Sequence, residues 1–299
     1  MIIPDFLKPG DNVAVVATAK KVNRENTLKG IEILKSWKLN VVLGKNIFNS
    51  YHQFAGTDAE RIADFQEMIK DPEIKAIFAA RGGYGSTRII DQIDFGPLKE
   101  NPKWICGFSD ITAIHLHLNK LGICGIHSPM PSFFYSMKKK QLHWLRELIF
   151  GEHKKLSIDH HALNKPGQVS AKLIGGNLSL ICHTIGTLSE IETNGNILFI
   201  EDVGEKLYHL DRMMIQLNRA GFLKNLAGLI VCQFTEMEDD GESFGFNANE
   251  IIHAHVEGYN YPVAFNFPIG HIKENYAVPV GMEVYLEVND LGSVLNIGD

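Results

Sequence analysis

Short apolar, β-branched runs alternate with longer amphipathic stretches through the first half of the chain. Residues 12–17 (NVAVVA), 40–43, 74–80 and 103–107 have the length and composition of strands. Between and after them, residues 24–38, 58–70, 86–93 and 110–118 repeat their apolar positions with helical spacing. This rhythm predicts an α/β fold with a parallel sheet covered by helices on both faces. Ligands of such sheets collect at the carboxyl ends of the strands, where residues 81–86 (RGGYGS) and 107–110 (GFSD) fall.

The pattern changes after residue 140. An amphipathic helix, QLHWLRELIFG, leads into the polar EHKKLSIDHHALNKPGQ. Beyond it, strands at 169–174, 197–200, 226–231 and 284–288 mix with helices at 177–185, 208–220 and 248–258. The expected organisation is an N-terminal domain over 1–150, an inter-domain crossing over 151–168 and a smaller mixed α/β domain over 169–299. A length of 299 residues, more than one core usually serves, agrees with two domains.

Composition narrows the function classes. The net charge of −6 and the lack of any dense Lys/Arg cluster argue against a nucleic-acid or anionic-membrane partner. No stretch is long and apolar enough to span a bilayer, and the start MIIPDFLKPGD lacks the marks of a secretory signal, so a cytoplasmic location is expected. Cys106, Cys124, Cys182 and Cys232 lie far apart in apolar surroundings and read as buried thiols. The pairs His115/His117 and His253/His255 are two residues apart on predicted helices, a spacing that points them to different faces and disfavours chelation. The acidic run TEMEDDGE lacks cation-loop spacing. No metal or other cofactor is expected.

Three remote segments carry candidate chemistry. Ser109 stands between an apolar strand and the helix ITAIHLHL, the setting of a nucleophile elbow, although a serine there is more often a helix N-cap. The amide of Asp110 and that of Gly83 or Gly82 are placed to receive an oxyanion. RGGYGS fails as a dinucleotide fingerprint, because the third glycine would fall on Arg88. Glu201 closes the run ILFIE, with Asp202 and Glu205 as rival carboxylates, and His271 follows FPIG at a loop start. The order Ser109, Glu201, His271 is one in which a serine triad can be assembled. A thiol enzyme would need cysteine at the elbow, and Cys106 lies three residues too early. An ordinary α/β-hydrolase would need GxSxG, which GFSDI lacks. A non-catalytic module using RGGYGS to bind an anion is the reading from another class.

In order along the chain, RGGYGS, GFSD, IGGNLSL (174–180), EDVGEKLYHLDRMMIQL (from Glu201) and GHIKENYAVPVG (270–281) resemble the LD-carboxypeptidases, the muramoyl-tetrapeptide carboxypeptidase group of serine peptidases. The resemblance implies a first domain with a Rossmann-like parallel sheet, shaped like the class I glutamine amidotransferases, and a smaller second domain. It implies Ser109 as nucleophile, Glu201 as acid, His271 as base and the amides of Gly83 and Asp110 as oxyanion hole. It further implies removal of a terminal D-alanine from murein tetrapeptides during cytoplasmic cell-wall recycling, by a homodimer. Tyr84, Asn177 and Met130, in or beside the matched motifs, are expected to bind substrate. Two departures bear on substrate choice: Thr18, Ala19 and Lys20 follow Ala17 where the family usually has Ala-Pro-Ser, and His127-Ser128-Pro129-Met130 replaces His-Gly-Pro-Met. A branch that inactivates peptide-nucleotide antibiotics is the nearest alternative function.

Overall fold

The structure is a computed structural model, and it describes residues 1–298. The chain divides into two compact units: Met1–Glu152 with Tyr276–Gly281, and His153–Asn275 with the residues from 282 onward. Residues 13–16 are at most 1% exposed, as an inner strand of a parallel sheet covered on both faces requires.

The first unit runs β1 (Asn12–Val16), α1 (Arg24–Ser36), β2 (Asn40–Leu43), α2 (Asp58–Lys70), β3 (Ile74–Ala79), α3 (Ser86–Ile89), α4 (Pro97–Glu100), β4 (Trp104–Gly107), α5 (Thr112–Lys120), β5 (Gly125–His127), α6 (Pro131–Phe134) and α7 (Lys139–Ile149). These five strands are parallel in the order β5-β4-β3-β1-β2. Val278–Val280 returns from the far end of the chain and pairs antiparallel with β5. Local signals start the helices where the sequence predicts them. Asn23 caps α1 by accepting from the amide of Asn26, and Thr57 with Glu60 forms a reciprocal capping box on α2.

The second unit contains β6 (Lys154–Asp159), β7 (Gly167–Asn177), α8 (Leu178–His183), β8 (Ile197–Val203), α9 (Leu207–Arg219), β9 (Gly228–Thr235), α10 (Ala248–Val256) and β10 (Val263–Phe265). With Val278–Val280 counted as β11, it ends in β12 (Glu283–Asn289) and β13 (Gly292–Ile297). Its sheet is mixed: β10-β9-β8-β7 are parallel, and β7-β12-β13-β6 continue antiparallel. Segment 151–168, polar enough to read as a crossing, holds β6. Only Leu156 of that strand is buried, and its lysines mark the outer edge of the sheet, where charge blocks further pairing. Near the end of β7, Gly175 has φ +134°, and a side chain there would run into the Phe199 carbonyl of β8.

Candidate active site

Ser109, separated from β4 by Phe108, adopts φ +64°, a left-handed conformation that costs a non-glycine residue free energy. It opens a 3-10 turn, Ser109–Ile111, that runs into α5. No side chain caps either helix start, so the bland N-cap role for this serine does not hold. A strained serine on a sharp strand-to-helix turn is what presents a hydroxyl at the rim of a sheet.

The glycine loop lies against it. A β-carbon built on Gly82 would stand 3.4 Å from Ser109 Cβ, 3.3 Å from the Phe108 carbonyl and 3.4 Å from Met130 Cε. The loop is fixed by two buried charged side chains that sequence reasoning did not single out for this work. The carboxylate of Asp110 accepts the Ser86 amide at 2.8 Å, and the Ser86 hydroxyl donates to Thr18 Oγ1 at 3.1 Å. Burial raises the Asp110 pKa, and hydrogen bonding from Ser86 and Gly85 only partly offsets it. Arg61, on α2, donates to the carbonyls of Thr18 and Gly85 and pairs with Asp58. One guanidinium therefore holds the loops that follow β1 and β3, and one carboxylate joins the second of these to the elbow after β4. Neither residue has a local sequence signal for that role, because its partners lie 24 to 43 positions away.

Of the residues expected to meet substrate, Tyr84 is 46% exposed on the glycine loop, with its ring 5.9 Å from that of Phe54. Met130 is buried beneath Gly82. Asn177, in the second unit, is buried; its side chain caps α8 at the Leu180 amide and donates to Asp202 at 2.8 Å.

The second unit brings Glu201 and His271 together across 70 residues of sequence, with His271 Nδ1 donating to Glu201 Oε2 at 2.7 Å. Glu201 is fully buried in β8, where the pairing with β9 slips by a residue between Ile200 and Asp202. His271 lies in the loop after β10, its carbonyl accepting from Thr235 Oγ1 at 3.3 Å. Gly270 permits this approach: it has φ +113°, and a β-carbon there would meet Glu201 Oε2 at 2.6 Å. Burial alone would lower the His271 pKa, but the Glu201 bond and the charges of Glu201, Asp202 and Glu236 raise it overall. The bond also fixes the tautomer, so that Nε2 carries the acceptor lone pair.

The two rival carboxylates are committed elsewhere. Asp202 accepts from Asn177 Nδ2, from the amide and hydroxyl of Ser179 and from the Val203 amide at 2.8 to 2.9 Å. Burial, and then the neighbouring Glu201 charge, push its pKa up to about 6. Glu205 pairs with His209 and accepts from Ser179 Oγ at 3.1 Å. Cys106 is fully buried and its thiol pKa is pushed up by desolvation, the wrong direction for a thiolate nucleophile. Among the described residues no cluster of three or more His, Cys, Asp or Glu side chains fits a metal ion. No helix among them is long and apolar enough to cross a membrane.

Residues 13–128 match the LD-carboxypeptidase N-terminal domain, and residues 170–286 match the LD-carboxypeptidase C-terminal domain. The chain belongs to the LD-carboxypeptidase family. It is a peptidase. A probable murein peptide carboxypeptidase of Bacillus subtilis (strain 168) is 34% identical over 306 residues, covering 99% of this chain and 94% of that protein. The murein tetrapeptide carboxypeptidase of Pseudomonas aeruginosa is 29% identical, over 93% and 94% of the two chains. The crystal structure of a muramoyltetrapeptide carboxypeptidase from Oxalobacter formigenes superposes with a TM-score of 0.88 at 28% identity, covering 96% of this chain and 99% of that one. This chain thus has the two-domain fold of the family, with five parallel strands in the first sheet and the mixed second sheet described above.

Proposed function

We propose that the protein is a serine carboxypeptidase that removes the terminal D-alanine from murein tetrapeptides, cutting the bond between the L-centre of the diamino acid and that alanine. The observation that carries the chemistry is the left-handed Ser109 just beyond β4. The substrate class rests on similarity to murein peptide carboxypeptidases along nearly the whole chain.

In this mechanism Ser109 Oγ attacks the scissile carbonyl while His271 Nε2 takes its proton, the imidazolium being stabilised by Glu201. The amides of Gly83 and Asp110 receive the negative charge that develops on the carbonyl oxygen. The C–N bond then breaks, and D-alanine leaves with the proton from His271. Water, deprotonated by the same imidazole, attacks the acyl-enzyme and restores Ser109. Each half needs His271 neutral at its start, so a raised pKa makes activity fall as the pH drops through a point above the ordinary histidine value of 6.5. Cell-wall recycling in the cytoplasm by a homodimer completes the reading.

Incubation with murein tripeptide, tetrapeptide and pentapeptide, followed by mass spectrometry, tests it. Loss of one alanine from the tetrapeptide alone is the expected result. An intact tetrapeptide, or alanine lost only from the pentapeptide, would overturn the assignment.

A further inference from the structure

A carboxypeptidase differs from other peptidases in one chemical demand: it must bind the free carboxylate of the residue it releases. In a tetrapeptide that carboxylate lies on the first carbon beyond the scissile nitrogen, so its receptor has to stand within a few ångströms of the oxyanion donors. In the first unit one cation meets this demand. The aliphatic chain of Lys20 is laid over Gly83: a β-carbon on that glycine would meet Lys20 Cδ at 2.7 Å, Cγ at 2.9 Å and Cε at 3.3 Å. Nζ is one C–N bond of about 1.45 Å further on. Gly83 has φ +116°, so it serves the loop by its conformation and serves Lys20 by having no side chain.

The direction of Lys20 is set by the backbone. It forms an isolated antiparallel bridge with Phe54, flanked by Ala55 N to Ala19 O at 3.0 Å and Lys21 N to Gln53 O at 2.9 Å. The side chain is half-buried, and its ammonium has no ion pair or hydrogen bond among the described residues. The arginines of this region are engaged. Arg61 is held by Asp58 and two carbonyls, Arg88 by Asp58 at 2.7 Å, and Arg81 donates to the Lys21 carbonyl at 3.3 Å. A lysine partly withdrawn from water with no protein counter-charge is suited to an anionic ligand.

Building on the function proposed above, we infer that Lys20 is a specificity-determining residue of this chain, whose ammonium binds the C-terminal carboxylate of the substrate beside the Gly83 amide. The contact persists from ground state to transition state, so it acts chiefly on KM.

The test compares the wild-type protein with Lys20→Met and Lys20→Arg on two substrates, the murein tetrapeptide and the same peptide with its terminal carboxylate converted to an amide. Lys20→Met is expected to lower kcat/KM on the free acid by about 10- to 100-fold, mostly through KM, and to leave the amide nearly unaffected. Lys20→Arg is expected to restore much of the loss. Equal losses on both substrates, or none on either, would overturn the inference while leaving the carboxypeptidase reading intact. If the wild-type protein fails to cleave the tetrapeptide, that reading falls separately. Calorimetric binding of acid and amide to Ser109→Ala with and without Lys20→Met then decides the role of Lys20, and absence of a Lys20-dependent preference for the acid refutes it.

Discussion

In the first unit Ser109 is held by backbone conformation, with φ at +64° and a glycine loop packed against its β-carbon, whereas in the second unit His271 is held by the charge of a carboxylate sealed away from water. The charged residues near the elbow obey the same division. Asp110 and Arg61 bind main-chain groups, so their effect is to fix a path of the chain. Around His271 the charges of Glu201, Asp202 and Glu236 act on the imidazole itself, by setting its pKa. A nucleophile has to be placed, and a base has to be both placed and tuned. The first task can be met by torsion angles alone, and the second needs buried charge.

The largest expected effect separates strain from function at the elbow. Ser109→Gly removes the hydroxyl and also the left-handed penalty, which for a residue with a β-carbon is about 1–2 kcal/mol. Turnover should fall by about 10⁴-fold or more, while stability in urea rises by about 0.5–1 kcal/mol once the entropy of the added glycine is deducted. A variant that lost activity and stability together would mean that the serine is held by its contacts and not against its conformational preference.

Next in size, Gly270→Ala strikes the other half. Its methyl group would meet Glu201 Oε2 at 2.6 Å and Glu201 Cβ at 2.9 Å, in a backbone conformation with φ +113° that alanine resists. The expected loss in kcat/KM is about 100-fold, of the order seen when a catalytic group is displaced by an ångström. The acid limb of the pH profile should also move down, because the Glu201 bond is the main influence that raises the His271 pKa. In the wild-type protein that limb should lie above 6.5, and stability has the opposite sign. The Glu201–His271 pair contributes most below the unfolded-state pKa, and its contribution is lost as pH rises through the higher folded-state value. Thermal unfolding between pH 5.5 and 8.5, set beside the rate profile, should show the two trends crossing.

The same contrast explains what the sequence made legible. Strands β1 to β4 and their helices are local events, with apolar period, caps and turn residues all inside one element, and residues 40–43 and 58–70 agree to the residue with β2 and α2. Ser109 stood out because an elbow is local too. Strands β5 and β11 are three residues each and supply almost no periodic signal, and β6 hides its one buried residue among lysines. The choice of Glu201 over Asp202 and Glu205 was not local: all three are acidic and close in sequence, and only the fold of β8 against the loop after β10 puts the first on His271. Arg61 was unreadable for the same reason, since it acts on loops brought up by other strands, whereas Lys20 is visible in the sequence only as a departure from the family's usual loop.

The smallest expected effect comes from Asp202→Asn. Asp202 does not touch His271 through any bond described above; its carboxylate is taken up by four donors from Asn177, Ser179 and Val203. Its influence on the imidazole is through charge alone, and with its own pKa at about 6 that charge is only partly present at the acid edge of the active range. Asparagine keeps the shape, removes the charge and turns one acceptor into a donor facing a donor, so stability should fall by about 1–3 kcal/mol. The acid limb should move down by less than in Gly270→Ala, and kcat on the alkaline plateau should stay within about threefold of wild type, because the Glu201 bond still orients the ring. A limb displaced as far as in Gly270→Ala would mean that summed charge, and not the single Glu201 bond, governs the base, and the contrast between a placed nucleophile and a bonded base would have to be redrawn around the whole acidic cluster.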